Sequence, residues 1–546
     1  MPDLNSTDQI KAYFQANAVL EETERYRQLS RYASFFDCEQ YAHQTSDWWG
    51  MTADQMETVS SKVLVASGFE MPGMDLKVRQ KRPTAPYHLG RAIPERFTGL
   101  LFSEERRPTI DVEGDPDTAD LLNALIEQSC YWSRLSAARN MGGSMGAVLI
   151  TVHLQKGKLS VEVHDPRHVQ MLWKNRKNLE PQAALICYRY AKEEITKDEK
   201  TGEVTAQIVT YLSRRIITDQ DDTIYKDVKL EDNTTIEWEV ESTATHGLGY
   251  FPGVWVQNLP VEDDEDGVPD CHGAWQIFDT IDRMDSQINK ALLNNLDPTL
   301  VVKTNPQEVA QQGGSIRKGS ENALYVGASG NANYMEMTGQ ACEVAGKYID
   351  RKKQQALDIT RCVLVDPQTI AGAAQSARAI EYIYAPMLEK AGDLRTQYGS
   401  RAIIPTLKTA EDLARKYHDV EMTDAEGKAV VAKLDLPPKA DGTPRKLGPG
   451  GWIKMTWGRY FAPTVQDQQV GVANAVAAKS GGIIDATTAV QQGAALFNVQ
   501  DPKAMQAKIE QERQSQLDEA LSSGPYGAAD LASRGPTPPA SQGVKP

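Results

Sequence analysis

Apolar and polar positions alternate along this chain with two different periods, and the change of period divides it. Up to about residue 110 the spacing is helical. It predicts one helix from Thr7 to Tyr32, capped by Ser6 or Thr7, and another from Arg91 to Arg106 that ends before Pro108. A third starts at Asp115-Pro116-Asp117 and carries Leu121, Leu122, Leu125, Ile126, Trp132 and Leu135 on one repeat. From 147 to 260 the period drops to two. Ala147–Val152, Leu159–Val163 and Ala184–Cys187-Tyr188 read as strands, as does Phe251–Asn258 at the end of the block. Gly202, Asp221-Asp222 and Asp232-Asn233 mark hairpin turns between them.

The acidic run Glu262-Asp263-Asp264-Glu265-Asp266-Gly267 reads as a solvated linker, since it lacks the ligand spacing of a calcium-binding loop. Helical spacing then returns from Asp270 to Leu296. Trp275, Phe278, Ile281, Ile288 and Leu292 share a face, with Asp279, Asp282, Arg283 and Lys290 largely elsewhere. A short β excursion follows, built from Leu300–Lys303, the glycine-rich 313–319 and Ala323–Val326. A second long helix runs from about Ala341 to Val363, and the pair with its β insert reads as a rod. Small residues fill 366–375. A third long helix begins near Ser376, with Pro386 and Pro405 as kink sites. Residues 424–450 read as loop, Trp452–Trp457 as a strand and Val465 to Leu517 as helices; 522–546, rich in Gly, Ala, Ser and Pro, reads as a disordered tail.

At 546 residues the chain exceeds one ordinary core and suggests roughly two to four structural units. No window approaches the ~18 apolar residues of a membrane helix, and Met1–Asn5 has no signal-peptide character, which implies a cytoplasm-like compartment. The six cysteines have no regular spacing and read as reduced, mostly buried small hydrophobes. The net charge of −15 argues against a protein that grips DNA by neutralising phosphates, and leaves open one that lets DNA slide.

The chemistry-bearing residues form no catalytic constellation. His164-Asp165 and His168 sit close, with Asp165 available to orient an imidazole, but a strand-to-turn setting favours a structural role. There is no HExxH and no GxxxxGK[ST], and the missing GxxxxGK[ST] excludes an ATP-driven motor of the P-loop type. Gly142-Gly143-Ser144-Met145-Gly146 follows a helix and precedes a strand, the reverse of a phosphate loop, so close helix–strand packing accounts for it better. No cofactor and no metal are expected.

Four segments carry a family resemblance: Asp165-Pro166-Arg167-His168-Val169; Phe251–Asn258 followed by Trp275…Asp279…Asp282-Arg283…Asn289; Ser376–Tyr382 running on to Arg395; and Gly481-Gly482-Ile483-Ile484-Asp485 with Thr487-Thr488. Their order and spacing resemble those of the portal proteins of tailed bacteriophages, over roughly residues 85 to 520. The resemblance implies an α+β portal fold. Its parts would be an N-terminal helical extension (1–84), a wing (85–269), stem helices (270–296 and 341–364) and a clip between them (297–340). A tunnel loop (365–376), a long tunnel helix (377–420), a wing return of loop and strand (421–464), a crown (465–520) and a disordered tail (521–546) would complete it.

It further implies a homo-oligomeric ring, a dodecamer, at one capsid vertex of the virion, assembled in the host cytoplasm. Double-stranded DNA would pass through its channel. Its partners would be the terminase large subunit, head–tail adaptor and tail proteins, and major capsid and scaffolding proteins, with no membrane. The ring would also nucleate head assembly. Ala371, Gly372, Ala373, Ala374, Gln375, Ser376 and Arg378 would face DNA, with an intersubunit ion pair the stronger reading of Arg378. Ile316, Arg317 and Lys318 would meet the terminase or adaptor. Another virion component, such as a minor capsid protein or a head–tail adaptor, is the alternative, though adaptors are generally shorter and lack paired long helices.

Overall fold

The computed structural model describes residues 6–18, 23–41, 86–155, 157–197, 204–230, 236–262, 264–296, 300–303, 323–326, 339–364, 377–417 and 422–522, the last apart from 424–428, 432–433, 435–437, 440–441, 462–464 and 497–501. The chain divides into two compact units, one of residues 1–364 and 385–460, the other of 365–384 and 461–546. Helix and antiparallel sheet are both well represented, consistent with the α+β expectation.

The centre of the first unit is a pair of antiparallel sheets. Strands β2 (Ala147–Gln155), β3 (Lys158–His164) and β9 (Gly253–Gln257) form one, in the order β3-β2-β9. Strands β4 (Val169–Asn175), β5 (Glu180–Lys197), β6 (Val204–Ile217), β7 (Asp221–Lys229) and β8 (Val240–Thr245) form a five-stranded meander. Ala147 and Leu149 from the first sheet meet Val169, Trp173, Ala184, Ile186 and Ile217 from the second, with Trp255 and Phe251 closing the layer.

Because strand side chains alternate, Ala183 and Leu185 point the other way. There Ile10 and Phe14 of helix α1 (Thr7–Asn17) cover them, with Leu172, Ile216 and Tyr225. The run 183–186 is therefore apolar throughout because both faces are buried. The predicted turn at Asp221-Asp222 falls two residues earlier, at Asp219-Gln220, and the two aspartates open β7.

Several predicted helices are divided. The Thr7–Tyr32 segment is α1 plus α2 (Glu24–Phe36), because Thr23 starts a new helix by accepting the Tyr26 N–H at 3.1 Å. Helix α3 spans Leu89–Phe102. The helix predicted through Leu135 is α4 (Pro116–Gln128) and α5 (Tyr131–Met145), separated where Cys130 takes φ 51°. Between α3 and α4 lies β1 (Thr109–Val112), which sequence reading missed. It pairs antiparallel with β14 (Ile453–Thr456), the predicted return strand.

The acidic run is no free linker. Arg25 of α2 grips Asp266 at 2.6 and 2.8 Å, Trp255 Nε1 donates to the Glu265 carbonyl at 2.8 Å, and Gln257 Nε2 donates to the Asp264 carbonyl at 2.8 Å.

Two 22-residue helices follow, α6 (Trp275–Leu296) and α7 (Gly339–Thr360), each about 33 Å long and packed on one another. Between them, β10 (Leu300–Lys303) and β11 (Ala323–Val326) pair in parallel. Helix α8 (Ala377–Tyr398) contains Pro386 and runs into a π-helical turn, Gly399–Ile403, just before Pro405 in α9 (Ile404–Tyr417). The predicted loop at 424–450 holds part of a small hairpin, β12 (Met422–Thr423) with β13 (Ala429–Val431).

In the second unit, α10 (Val465–Ser480) packs on α11 (Ala486–Leu496), and α11 on α12 (Pro502–Ser522). The Gly-Gly-Ile-Ile-Asp motif is the turn between the first two. Gly482 takes φ 71°, and the Asp485 carboxylate caps α11 by accepting the Thr488 N–H at 3.2 Å. Only Cys271 and Cys362 of the six cysteines are buried; Cys130 is exposed, and all described are free thiols.

Candidate functional site

The two long helices share a root in the first unit, centred on a carboxylate with no solvent exposure. Asp270 lies just ahead of α6. Its Oδ2 accepts from Arg139 Nη2 of α5 at 2.8 Å, and neither side chain reaches water. Lys390 Nζ of α8 sits 3.3 Å from Asp270 Oδ1 and donates to the carbonyls of Asp270 and Thr360, each at 3.2 Å. Thr360 is the last residue of α7, so one ammonium joins the start of α6, the end of α7 and the middle of α8. Asn258 Nδ2 completes the cage, 3.2 Å from Asp270 Oδ1. Burial opposes the charge on Asp270, yet Arg139 and Lys390 hold its carboxyl below the usual range. Burial pushes the nearby Tyr398 hydroxyl upward.

The glycine cluster 142–146 serves this centre. A Cβ at Gly142 would strike the Tyr398 hydroxyl, and one at Gly143 would strike Arg139 and Asp270. Gly146 takes φ 103° and lies against the Gly267 carbonyl. Close packing of a buried ion cage explains these glycines, as the helix-then-strand order suggested.

A second shell of contacts binds the N-terminal helices to the same root. Tyr32 of α2 stacks on Trp275 at 5.2 Å, and Phe35 packs on Trp275 and Phe278. Tyr87 touches both long helices: its N–H donates to Asp282 Oδ1 of α6 at 2.8 Å, and its hydroxyl accepts from Lys353 Nζ of α7 at 2.6 Å. Tyr41 Oη lies 2.7 Å from Asp279 Oδ1 and 3.0 Å from Asp282 Oδ2, with Gln40 Nε2 at 3.5 Å from the latter. The helical pattern put Asp282 on the polar face; it is buried instead, because these donors replace its water. Burial raises both aspartyl pKa values above the ordinary range, against the opposing hydrogen bonds of Tyr87, Tyr41 and Gln40 and the charges of Arg31 and Arg283.

Helix α7 also carries uncovered apolar groups, from its first turns down to the root. Val344, Tyr348 and Ile359 fall along one stripe of α7, and Val344 is 67% exposed. In the second unit Val470, Val476 and Ile483 are exposed, the last by 80%.

Of the residues marked from sequence, Ala371, Gly372, Ala373, Ala374, Gln375 and Ser376 lie outside the described residues, as do Ile316, Arg317 and Lys318. Arg378 lies in the first turn of α8. Thr360 and Lys390, on either side of 365–376 in the sequence, meet at Asp270. Sequence reading missed Arg139, Asp270 and Lys390. The signal for them was weak: three charges on otherwise apolar faces, far apart in the chain.

Among the described residues the histidines form no catalytic arrangement. Asp165 orients Arg167, not an imidazole, through bonds of 2.6 to 3.0 Å. His164 Nε2 meets Thr151 Oγ1 at 2.7 Å, and burial depresses its pKa to about 4. His168 packs between Tyr26 and Tyr188. A cavity of about 30 Å³ lined by Thr151, His153, Arg215, Asp222 and His246 has room for about one water, and Arg215 is already paired with Glu162 and Asp222. Among the described residues no three His, Cys, Asp or Glu side chains are grouped to hold a metal, and no helix is long and apolar enough to cross a membrane.

Comparison with protein families matches residues 95–519 to the family described as "Phage portal protein, SPP1 Gp6-like". Comparison with curated protein sequences returned no match.

Proposed function

The chain belongs to the phage portal protein family, and from that premise we propose that it assembles into a twelve-subunit ring at one capsid vertex, through which double-stranded DNA enters and leaves. The family makes it a structural component of the bacteriophage virion, associated with DNA packaging. The observation that carries the ring reading is the contrast within one long helix pair. Its root is locked by a buried ion cage, while α7 leaves Val344, Tyr348 and Ile359 uncovered. Apolar stripes on anchored helices are what a neighbouring subunit would cover.

In this reading α6 and α7 are the stem, 297–340 the clip and 365–376 the tunnel loop. Residues 85–269 with 421–464 are the wing, 377–420 its long helix, 465–520 the crown, 1–84 an N-terminal extension and 521–546 a tail. Twelve copies at −15 each carry a formal charge of −180, which disfavours static gripping of a phosphate backbone. The ring is a conduit with no reaction of its own. Ile316, Arg317 and Lys318 would present the clip to the terminase large subunit during packaging and to adaptor and tail proteins afterwards. Capsid and scaffolding proteins would surround the wing as the ring nucleates head assembly in the host cytoplasm.

The tunnel loop provides the test. Replacing Ala371 to Ala374 with bulky residues should impair DNA packaging or retention and leave ring assembly intact. Loss of assembly would instead make the segment structural core. Arg378→Gln should weaken the ring if the arginine pairs with a neighbouring subunit, and should alter DNA retention alone if it touches phosphate.

A further inference from the structure

Tyr41 has one hydroxyl hydrogen and two carboxyl neighbours. Its Oη lies 2.7 Å from Asp279 Oδ1 and 3.0 Å from Asp282 Oδ2. In one contact the hydroxyl donates. The other sets a hydroxyl lone pair against a carboxyl oxygen, and it is attractive only when that carboxyl carries a hydrogen. We propose that Asp279, Tyr41 and Asp282 share one bound proton and form a clasp that fastens the N-terminal chain to the root of α6, loosening when the proton leaves.

The surrounding groups say where the proton sits. Asp282 already accepts the Tyr87 N–H on Oδ1, and its Oδ2 faces Gln40 Nε2 as well as Tyr41. Fully occupied by donors, it is the carboxylate of the pair. Asp279 has the Tyr41 hydroxyl, with the charges of Arg31 on α2 and Arg283 on α6 acting on it. The donors around Asp282 draw the shared proton towards Asp279, whose acid form donates to Tyr41 Oη while the tyrosyl hydrogen points to Asp282; the charges of Arg31 and Arg283 oppose that placement. Burial favours the neutral acid at both, and the Asp279 charge disfavours ionisation of Asp282. On the α7 side the facing charge is Lys353, which reaches the clasp through the Tyr87 hydroxyl. Asp282 thus receives the chain on both sides of residues 42–85, at Tyr41 and at Tyr87, and Tyr87 passes the contact on to the second long helix.

Both aspartyl pKa values are raised, chiefly by burial, and that direction sets the sign. A carboxyl whose folded-state pKa is raised contributes stability that is fully present below the ordinary carboxylate range, and it is lost as pH rises through the raised value. The clasp is tight in acid and loosens as pH rises through the raised value.

Amide hydrogen exchange on the full chain between pH 5 and 8, corrected for intrinsic rates, reads it at Tyr87, whose N–H Asp282 holds. Protection of peptides covering 36–41 and 86–90 should fall about three- to tenfold as pH rises. Asp279→Asn supplies a permanent N–H donor to Tyr41 and should keep protection level across the range. Tyr41→Phe, which leaves both carboxyls and removes the bridge, should show low protection at every pH. Flat protection in the parent chain, an Asp279→Asn chain with the parent slope, or a Tyr41→Phe chain with parent-like protection would each overturn the proposal.

Discussion

In the sheet pair, Leu149, Val169, Trp173 and Trp255 are sealed between layers, and Ile10 and Phe14 close the outer face. Helix α7 and the three-helix second unit leave Val344, Val476 and Ile483 at least 61% exposed. The same residue types thus end in opposite places. The first region completes its core within one chain; the second leaves apolar side chains exposed, as the proposed ring would require. Within the first unit the root around Asp270 holds its charged groups dry, while α7, which ends at it, leaves apolar side chains exposed.

The contrast can be broken from either side. The largest effect should come from the root. Asp270→Asn leaves Arg139 and Lys390 buried without their counter-charge and should cost about 3–5 kcal/mol in chemical denaturation. A cost below ~1 kcal/mol would mean that the cage is hydrated and fixes nothing. Phe14→Ala should cost about 3–4 kcal/mol by opening a cavity over the five-stranded sheet.

A smaller effect follows from His164. Its folded pKa is depressed from 6.5 to about 4, so the unfolded chain binds a proton that the folded chain refuses. Stability is full above about pH 6.5 and falls as pH drops towards 4, by on the order of 2 kcal/mol. His164→Gln should flatten that window in a denaturation series. Least of all, Val344→Ser and Ile483→Ser should change the stability of the isolated subunit by less than about 0.5 kcal/mol while reducing self-association. A large stability loss there would place these residues in the chain's own core.

Legibility in the sequence followed the range of the interaction. The apolar, β-branched run Ala147–Val152 and the cap signal of Asp485 ahead of Thr488 are local, and they were readable. The paired long helices were readable too, because 3.6-residue periodicity needs no partner to be seen. Strand β1 was not, since its partner lies about 350 residues away, with Thr109 opposite Thr456. Nor were the roles of Asp270 and Asp282. An aspartate in a helical pattern reads as solvated unless the donors that replace water are known, and here they come from Arg139, Lys390, Tyr41 and Tyr87. The break at Cys130 escaped because nothing in a cysteine announces a positive φ.

The central claim is that this subunit is one member of a closed ring. Native mass spectrometry of the purified chain, with negative-stain images of the same sample, tests it most directly. A closed ring gives a single high-mass species of about twelve subunits and ring views with a central hole. A stable monomer at micromolar concentration, with no ring in the images, would contradict it.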